Sequence, residues 1–239
     1  MKNVLITGAG RGLGLEFTRQ LLDAGERVFA TIRDPANAPA LKALRTDAGD
    51  RLQLLQLDVA EPKSIEAMAQ ELTTRTSTLD LLVNNAGINS KALPEDQRNV
   101  RFGTLEPAGI ERMIRVNAIG PVLVTQALKD LLAAAGGAKV VSISSWLGSI
   151  TGKKRGGNYA YCASKTTLNM LTRAMAHDLR NSGIVSMVMN PGWVSTDMGG
   201  SKAELTPEQS VMGMLRVVSD LTTDDIGTFK QWNGETQPW

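Results

Sequence analysis

Near the start of the chain, an apolar run over residues 2–7 (KNVLIT) passes into Thr7-Gly8-Ala9-Gly10-Arg11-Gly12-Leu13-Gly14, where every second residue is glycine. The run reads as a buried strand. A helical pattern follows at once over residues 12–24 and stops at Gly25. Strand, sharp turn and helix must therefore be contiguous. Glycines let such a turn close tightly and let a ligand approach backbone N–H groups, while the helix start presents its positive end. The letters do not obey the G-x-G-x-x-G spacing; they read G-x-x-x-G-x-G. A tight turn without a ligand would satisfy them too. At the first strand-to-helix junction of an alternating chain, they point to a dinucleotide pyrophosphate.

The alternation continues. Apolar runs at 27–32, 52–57, 79–83, 139–144 and 184–189 read as strands, with a last candidate around 228–232. Helical patterns cover 107–135, stopping at Gly136-Gly137, and 159–181, closed by Gly183. Buried strands alternating with helices predict an α/β fold, a Rossmann-type doubly wound parallel sheet. The 239 residues suit a single domain over 1–239. The weakly patterned stretches 89–104 and 193–205 follow strand ends. Substrate loops are therefore expected near 88–105 and 193–207.

A formal net charge of +2, and no basic run longer than Lys153-Lys154-Arg155, argue against a nucleic-acid partner. No apolar stretch approaches the roughly 20 residues of a membrane span. The start MKNVLITGAG has no long apolar segment of the signal-peptide kind. Cys162 is the sole cysteine and reads as a reduced thiol. A cytoplasmic protein without membrane contact is expected. His177 stands alone, so no metal site is expected. Met170, Met175 and Met187 read as core filling.

The end of the second strand bears on cofactor choice. An acid there would bind the ribose 2′-hydroxyl of NAD. The sequence reads Thr31-Ile32-Arg33-Asp34, which sets an uncharged residue at the acidic position and Arg33 beside it. Arg33 and Arg11 would favour the 2′-phosphate of NADP(H). Asp34 is the competing reading, one register step away.

Tyr161 and Lys165 lie four apart at the start of a helical pattern, and so on one helix face. A neighbouring ammonium is expected to lower the phenol pKa and suit it to proton transfer near neutral pH. Tyr159 has Ala163 at the same spacing. Upstream, Ser142-Ile143-Ser144-Ser145 closes a strand. A hydroxyl there could bind a substrate carbonyl oxygen. Ser145 is the first choice and Ser144 the second; Ser142 and Ser149 read as loop-satisfying serines.

These motifs, taken in order, resemble the short-chain dehydrogenase/reductase family, in its carbonyl-reductase and C-factor-like (Sniffer-like) branch. They are TGAGRGLG, Asp58-Val59, NNAG (84–87), Asn117 within RVNAIGP, Ser144-Ser145, Tyr161 with Lys165, and Pro191-Gly192. SSWLGSI, YAYCASKTTLNM and PGWVSTDMGG add to them. The resemblance implies Asn117, Ser145, Tyr161 and Lys165 as the catalytic set. It implies cofactor contacts from Gly8, Arg11, Gly12, Leu13, Gly14, Arg33, Asp58, Val59, Asn85, Ala86, Gly87, Tyr161, Lys165, Pro191, Gly192, Val194 and Thr196. Asn117 would break its helix and hold a water linking Lys165 to solvent. The stretch from Ser145 to Tyr161 is longer than the family's ordinary spacing, as a short insertion at the pocket mouth would make it.

The function implied is NADPH-dependent reduction of an apolar ketone, aldehyde or quinone, with Tyr161 as proton donor. Trp146, Leu147, Trp193, residues 88–93 and residues 194–205 would line the substrate pocket. The alternative is an NADP(H)-binding sensor or signalling protein with little or no turnover. A homodimer or homotetramer through the helices at 107–135 and 159–181 is the expected assembly.

Overall fold

The computed structural model describes residues 1–239. The first strand, β1 (Asn3–Thr7), lies inside the sheet rather than at an edge. It pairs in parallel with β2 (Arg27–Ile32) on one side and β4 (Leu81–Asn84) on the other. Strand β3 (Leu52–Gln56) closes the β2 edge, while β5 (Lys139–Ile143), β6 (Val185–Asn190) and β7 (Phe229–Gln231) extend from β4. The order is β3-β2-β1-β4-β5-β6-β7, parallel throughout. The chain thus winds outward one way, returns to the centre and winds the other way. The carboxyl ends of β1 and β4 flank the crevice where such sheets bind ligands. The Rossmann-type expectation holds.

Strand alternation divides the core. Val4 and Ile6 pack with Val28, Val141 and Met187 on one face, under α1 (Gly12–Asp23) and α8 (Pro207–Asp220). Leu5 points the other way and packs with Phe29, Leu82 and Val140. Each fully buried side chain of this size contributes about 1.5–3 kcal/mol relative to exposure. Both faces are apolar, so the strands read as continuous runs without polar alternation.

Three helices lie where the sequence reading placed none: α2 (Pro39–Ala48), α3 (Pro62–Thr73) and α8. Each opens with proline in its first turn, where the missing N–H costs nothing. Thr206 and Gln209 add a reciprocal cap to α8.

The helix expected over 107–135 is interrupted. It resolves into α4 (Pro107–Ile114), a π-helical turn (Arg115–Ile119), α5 (Gly120–Ala127) and α6 (Lys129–Ala134). Pro121 has no N–H to return to the carbonyl of Asn117 four residues earlier, so the ladder breaks there. In contrast, α7 (Tyr159–Leu179) is unbroken. The fourth strand begins two residues later than expected, because the Leu79 N–H donates to the Leu131 carbonyl instead of a strand partner (2.9 Å). Met187 and Met175 pack in or against the core, but Met170 is exposed on α7. His177 is exposed. No helix is long and apolar enough to cross a membrane.

Candidate active site

Parallel pairing brings the ends of β1, β4, β5 and β6 to one edge, and most of the singled-out residues gather there. The glycine turn is held from the β4 side. Thr7 Oγ1 accepts from the N–H groups of Asn85 (3.0 Å) and Ala86 (2.9 Å). Asn85 Nδ2 donates back to the carbonyls of Thr7 (2.9 Å) and Gly8 (3.1 Å). Backbone packing here leaves no room for side chains. A Cβ on Gly14 would lie 2.3 Å from the Gly8 oxygen, and Gly8 itself has φ +68° with Ala86 Cα against it. Sequence reasoning assigned Thr7 no such role.

Helix α1 starts without a side-chain cap and without an acid in its first turn. Its first N–H groups are therefore free to meet an anion at a close-packed glycine turn, and these residues fit a dinucleotide pyrophosphate. Asp34 is exposed; its Oδ1 accepts from the Ala36 N–H (3.1 Å) and caps a short turn, which leaves its second oxygen unengaged. Arg33 is exposed at the end of β2 and forms no ion pair. Arg11 does not join it; it pairs with Asp197 on the far loop at 3.2 Å. Asp58 is partly buried and accepts from the Ala60 N–H (2.9 Å), leaving a second carboxylate oxygen, and Val59 is buried beside it.

A cavity of about 520 Å³ opens beside the turn. Leu13, Ser145, Tyr161, Pro191, Trp193 and Thr196 are among its lining residues, with Trp146, Leu147, Gly192 and Val194. Ser144 and Ser145 both face it but differ in commitment. The buried Ser144 hydroxyl donates to Asn169 Oδ1 at 2.6 Å. Ser145 is only partly buried; its Oγ accepts from the Leu147 N–H (3.1 Å), which leaves its proton free. Asn158 also lines the cavity and was missed in the sequence. It stands before α7 at φ 52°, a left-handed conformation that asparagine tolerates, and an Asn following Gly156-Gly157 was the available signal.

Lys165 is buried, with Nζ 5.9 Å from the centroid of the Tyr161 ring and donating to the Ile143 carbonyl (2.8 Å). Burial pushes its pKa down to about 8. The expectation that Lys165 lowers the Tyr161 pKa is not met. Desolvation by the surrounding protein pushes the phenol up to about 12, while the Ser145 hydroxyl, able to donate to the phenolate, acts the other way. Loss of water is the largest cause, Cys162 acts in the same direction, and Lys165 is not among the groups that shift the phenol.

Asn117 lies in the π-helical turn and is buried. Its side chain is a clasp rather than an open ligand. Oδ1 accepts from the Ile88 N–H (2.8 Å), and Nδ2 donates to the Ile88 carbonyl (2.8 Å) and to Ser164 Oγ (3.0 Å). Gly87 sits against both Asn117 and Lys165, since a Cβ there would lie 3.3 Å from Asn117 Oδ1 and 3.7 Å from Lys165 Nζ.

The two loops expected around the substrate touch each other. Asn89 Nδ2 donates to the Met198 carbonyl (3.4 Å) and Lys91 Nζ to the Asp197 carbonyl (3.2 Å). Val194 bridges to Leu205, and Trp193 Nε1 donates to the Gly199 carbonyl (3.0 Å).

The short chain dehydrogenase family model matches residues 2–206. C-signal of Myxococcus xanthus is 38% identical over 164 residues, which span 69% of this chain and 95% of that protein. The NADPH-bound carbonyl reductase from chicken fatty liver superposes with a TM-score of 0.92 at 36% identity, over 100% of this chain and 99% of that one. Carbonyl reductase Sniffer of D. melanogaster gives 0.92 at 30% identity over the full length of both.

Proposed function

The chain belongs to the short-chain dehydrogenase family, and from that premise we propose that it is an NADPH-dependent carbonyl reductase acting on an apolar ketone, aldehyde or quinone. One observation carries the reading: the Tyr161 phenol and the Ser145 hydroxyl line one cavity with Leu13 and Pro191, beside the glycine turn. The NADPH-bound and Sniffer carbonyl reductases named above support the class.

When bound, the nicotinamide supplies the hydride. The rest falls to the chain. Gly8, Gly12, Leu13 and Gly14 cradle the pyrophosphate, and Arg33, with Arg11 if it leaves Asp197, meets the 2′-phosphate. Asp58 and Val59 contact the adenine. Asn85, Ala86, Gly87, Pro191, Gly192, Val194 and Thr196 would complete the contacts that hold the cofactor. Ser145 and Tyr161 hold the carbonyl oxygen, and Tyr161 gives it a proton. The buried phenol keeps its proton at neutral pH, so the donor form is populated, and the Ser145 hydroxyl acts to lower its pKa toward the operating range. Lys165 would hold the ribose hydroxyls, and Asn117, clasped to the Ile88 backbone, would position a water that links Lys165 to solvent and returns the proton. Residues 88–105 and 193–207 form the substrate loops of one domain spanning 1–239. The enzyme works in the cytoplasm as a homodimer or homotetramer, with the exposed Ile119 of the π-helical turn and Met170 of α7 as candidate apolar contacts; light scattering tests the assembly.

The test is NADPH consumption across a panel of aldehydes, ketones and quinones beside an NADH control. Turnover with a clear NADPH preference is expected; preference for NADH would overturn the cofactor assignment. A second reading, a signalling protein that binds NADP(H) without turnover, draws on the likeness to C-signal. It predicts tight NADPH binding and an inert panel. A proton donor opening into a carbonyl-sized cavity has no use in a pure sensor.

A further inference from the structure

Residues of the long stretch between Ser145 and Tyr161 line a second cavity of about 400 Å³ that opens to solvent. Trp146, Leu147 and Asn158 line both cavities, so the two spaces share a wall. The remaining lining includes Ser149, Lys153, Lys154 and Arg155, and no Asp or Glu. The loop is pinned: the Thr151 N–H donates to the Trp239 carbonyl (2.8 Å), the Gly152 N–H to Ser149 Oγ (2.9 Å), and the Asn158 N–H to the Val100 carbonyl (3.0 Å).

Its three cations are not equivalent. Lys153 Nζ is used locally, donating to the Gly157 carbonyl at 2.8 Å and lying 3.3 Å from Cys162 Sγ. Lys154 and Arg155 enter none of the chain's ion pairs. The cofactor does not account for them. The cations assigned to its 2′-phosphate, Arg11 and Arg33, follow β1 and β2, whereas this loop follows β5, on the far side of β4.

We propose that the second cavity is an anion subsite of the same active site, and that the preferred carbonyl substrates carry a carboxylate on an arm that passes Trp146 to reach Lys154 and Arg155. This rests on the reductase reading and amends its substrate class: the body of the carbonyl compound stays apolar, and the arm that leaves it carries the charge. Two uncompensated cations on a fixed loop raise the local positive potential, and Arg155 offers a planar fork matched to a carboxylate. Both are exposed, so each pair contributes modestly and is screened by salt.

A matched pair of substrates tests it: an aryl ketone whose side arm ends in a carboxylate, and its methyl ester. For the parent, KM for the acid is expected about two- to thirtyfold below that for the ester. In Lys154→Gln/Arg155→Gln the acid loses that advantage, with kcat and the ester's KM unchanged; raising salt has the same effect on the parent. Lys153 is left in place so that the loop keeps its clasp. Equal KM values for acid and ester in the parent, or a variant that shifts both alike, would overturn the subsite. Equilibrium binding of acid and ester to the NADPH-loaded protein, followed by tryptophan fluorescence, separates the two readings. If neither compound is reduced, the reductase reading fails. The subsite then stands only if the acid still binds more tightly than the ester and the double variant abolishes the difference.

Discussion

The two ends of the crevice are built from different materials. At the glycine turn the contacts are made to backbone groups: the Thr7 hydroxyl and the Asn85 side-chain amide bind main-chain N–H and C=O groups and so tie β1 to β4, and Gly8 and Gly14 pack where no Cβ fits. At the substrate end the site is built from side chains, Tyr161 in the first turn of α7 and the others on loops: Ser145, Trp193 and the cations of the 153–155 run. A backbone site tolerates few residue types, and so leaves a fixed pattern in the sequence. A side-chain site can be rebuilt with each change of substrate, and its letters carry less information.

That contrast can be broken or sharpened by substitution. The largest effect should come from the substrate end. Ser145→Ala is expected to lower kcat about 10²–10³-fold with NADPH affinity retained, the magnitude of losing one well-aimed donor. Ser144→Ala should instead lower thermal stability, because it strips the partner from buried Asn169 Oδ1. If steady-state kinetics gave the opposite pattern, the assignment of the two serines would be reversed.

At the backbone end, Gly14→Ala forces a Cβ onto the Gly8 carbonyl oxygen. A loss of roughly 1–3 kcal/mol in denaturant unfolding is expected, with weakened NADPH binding. An unchanged unfolding midpoint would show that the turn is looser than described.

Lys165 gives a pH test. Its folded pKa is near 8, against 10.5 for the free side chain. Between those values the unfolded chain holds more protons, so stability should rise with pH through that window. The Tyr161 shift acts oppositely, reducing stability above about pH 10, so the clean interval is 8 to 10. Unfolding of the cofactor-free protein should gain on the order of 1–3 kcal/mol across it relative to Lys165→Met. Parallel pH profiles for the two proteins would contradict the buried-ammonium account. The smallest effect is at the exposed Arg33: Arg33→Ala should raise KM for NADPH about tenfold or less and leave NADH unchanged.

The sheet was legible because buried parallel strands appear as continuous apolar runs, and all seven were placed, most within a residue or two. Helices α2, α3 and α8 were not, as their starts are marked by prolines, which turns accept equally well. The break at Asn117 was expected only from family likeness, although Pro121 four residues on states the physical cause. Tyr161 and Lys165 were found from spacing, but their pKa directions were not. Spacing reports proximity, whereas desolvation depends on everything packed around the pair. Asn158 was signalled only by the two glycines before it, and the second cavity lay beyond reading because it depends on how a loop folds back.

The proton donor is the centre of the account, and Tyr161→Phe addresses it with the least disturbance, since only one oxygen is removed. Turnover of the best carbonyl substrate should fall at least about 10²–10⁴-fold while NADPH binding, measured by fluorescence, is unchanged. Turnover within about tenfold of the parent, with the cofactor still bound, would contradict it.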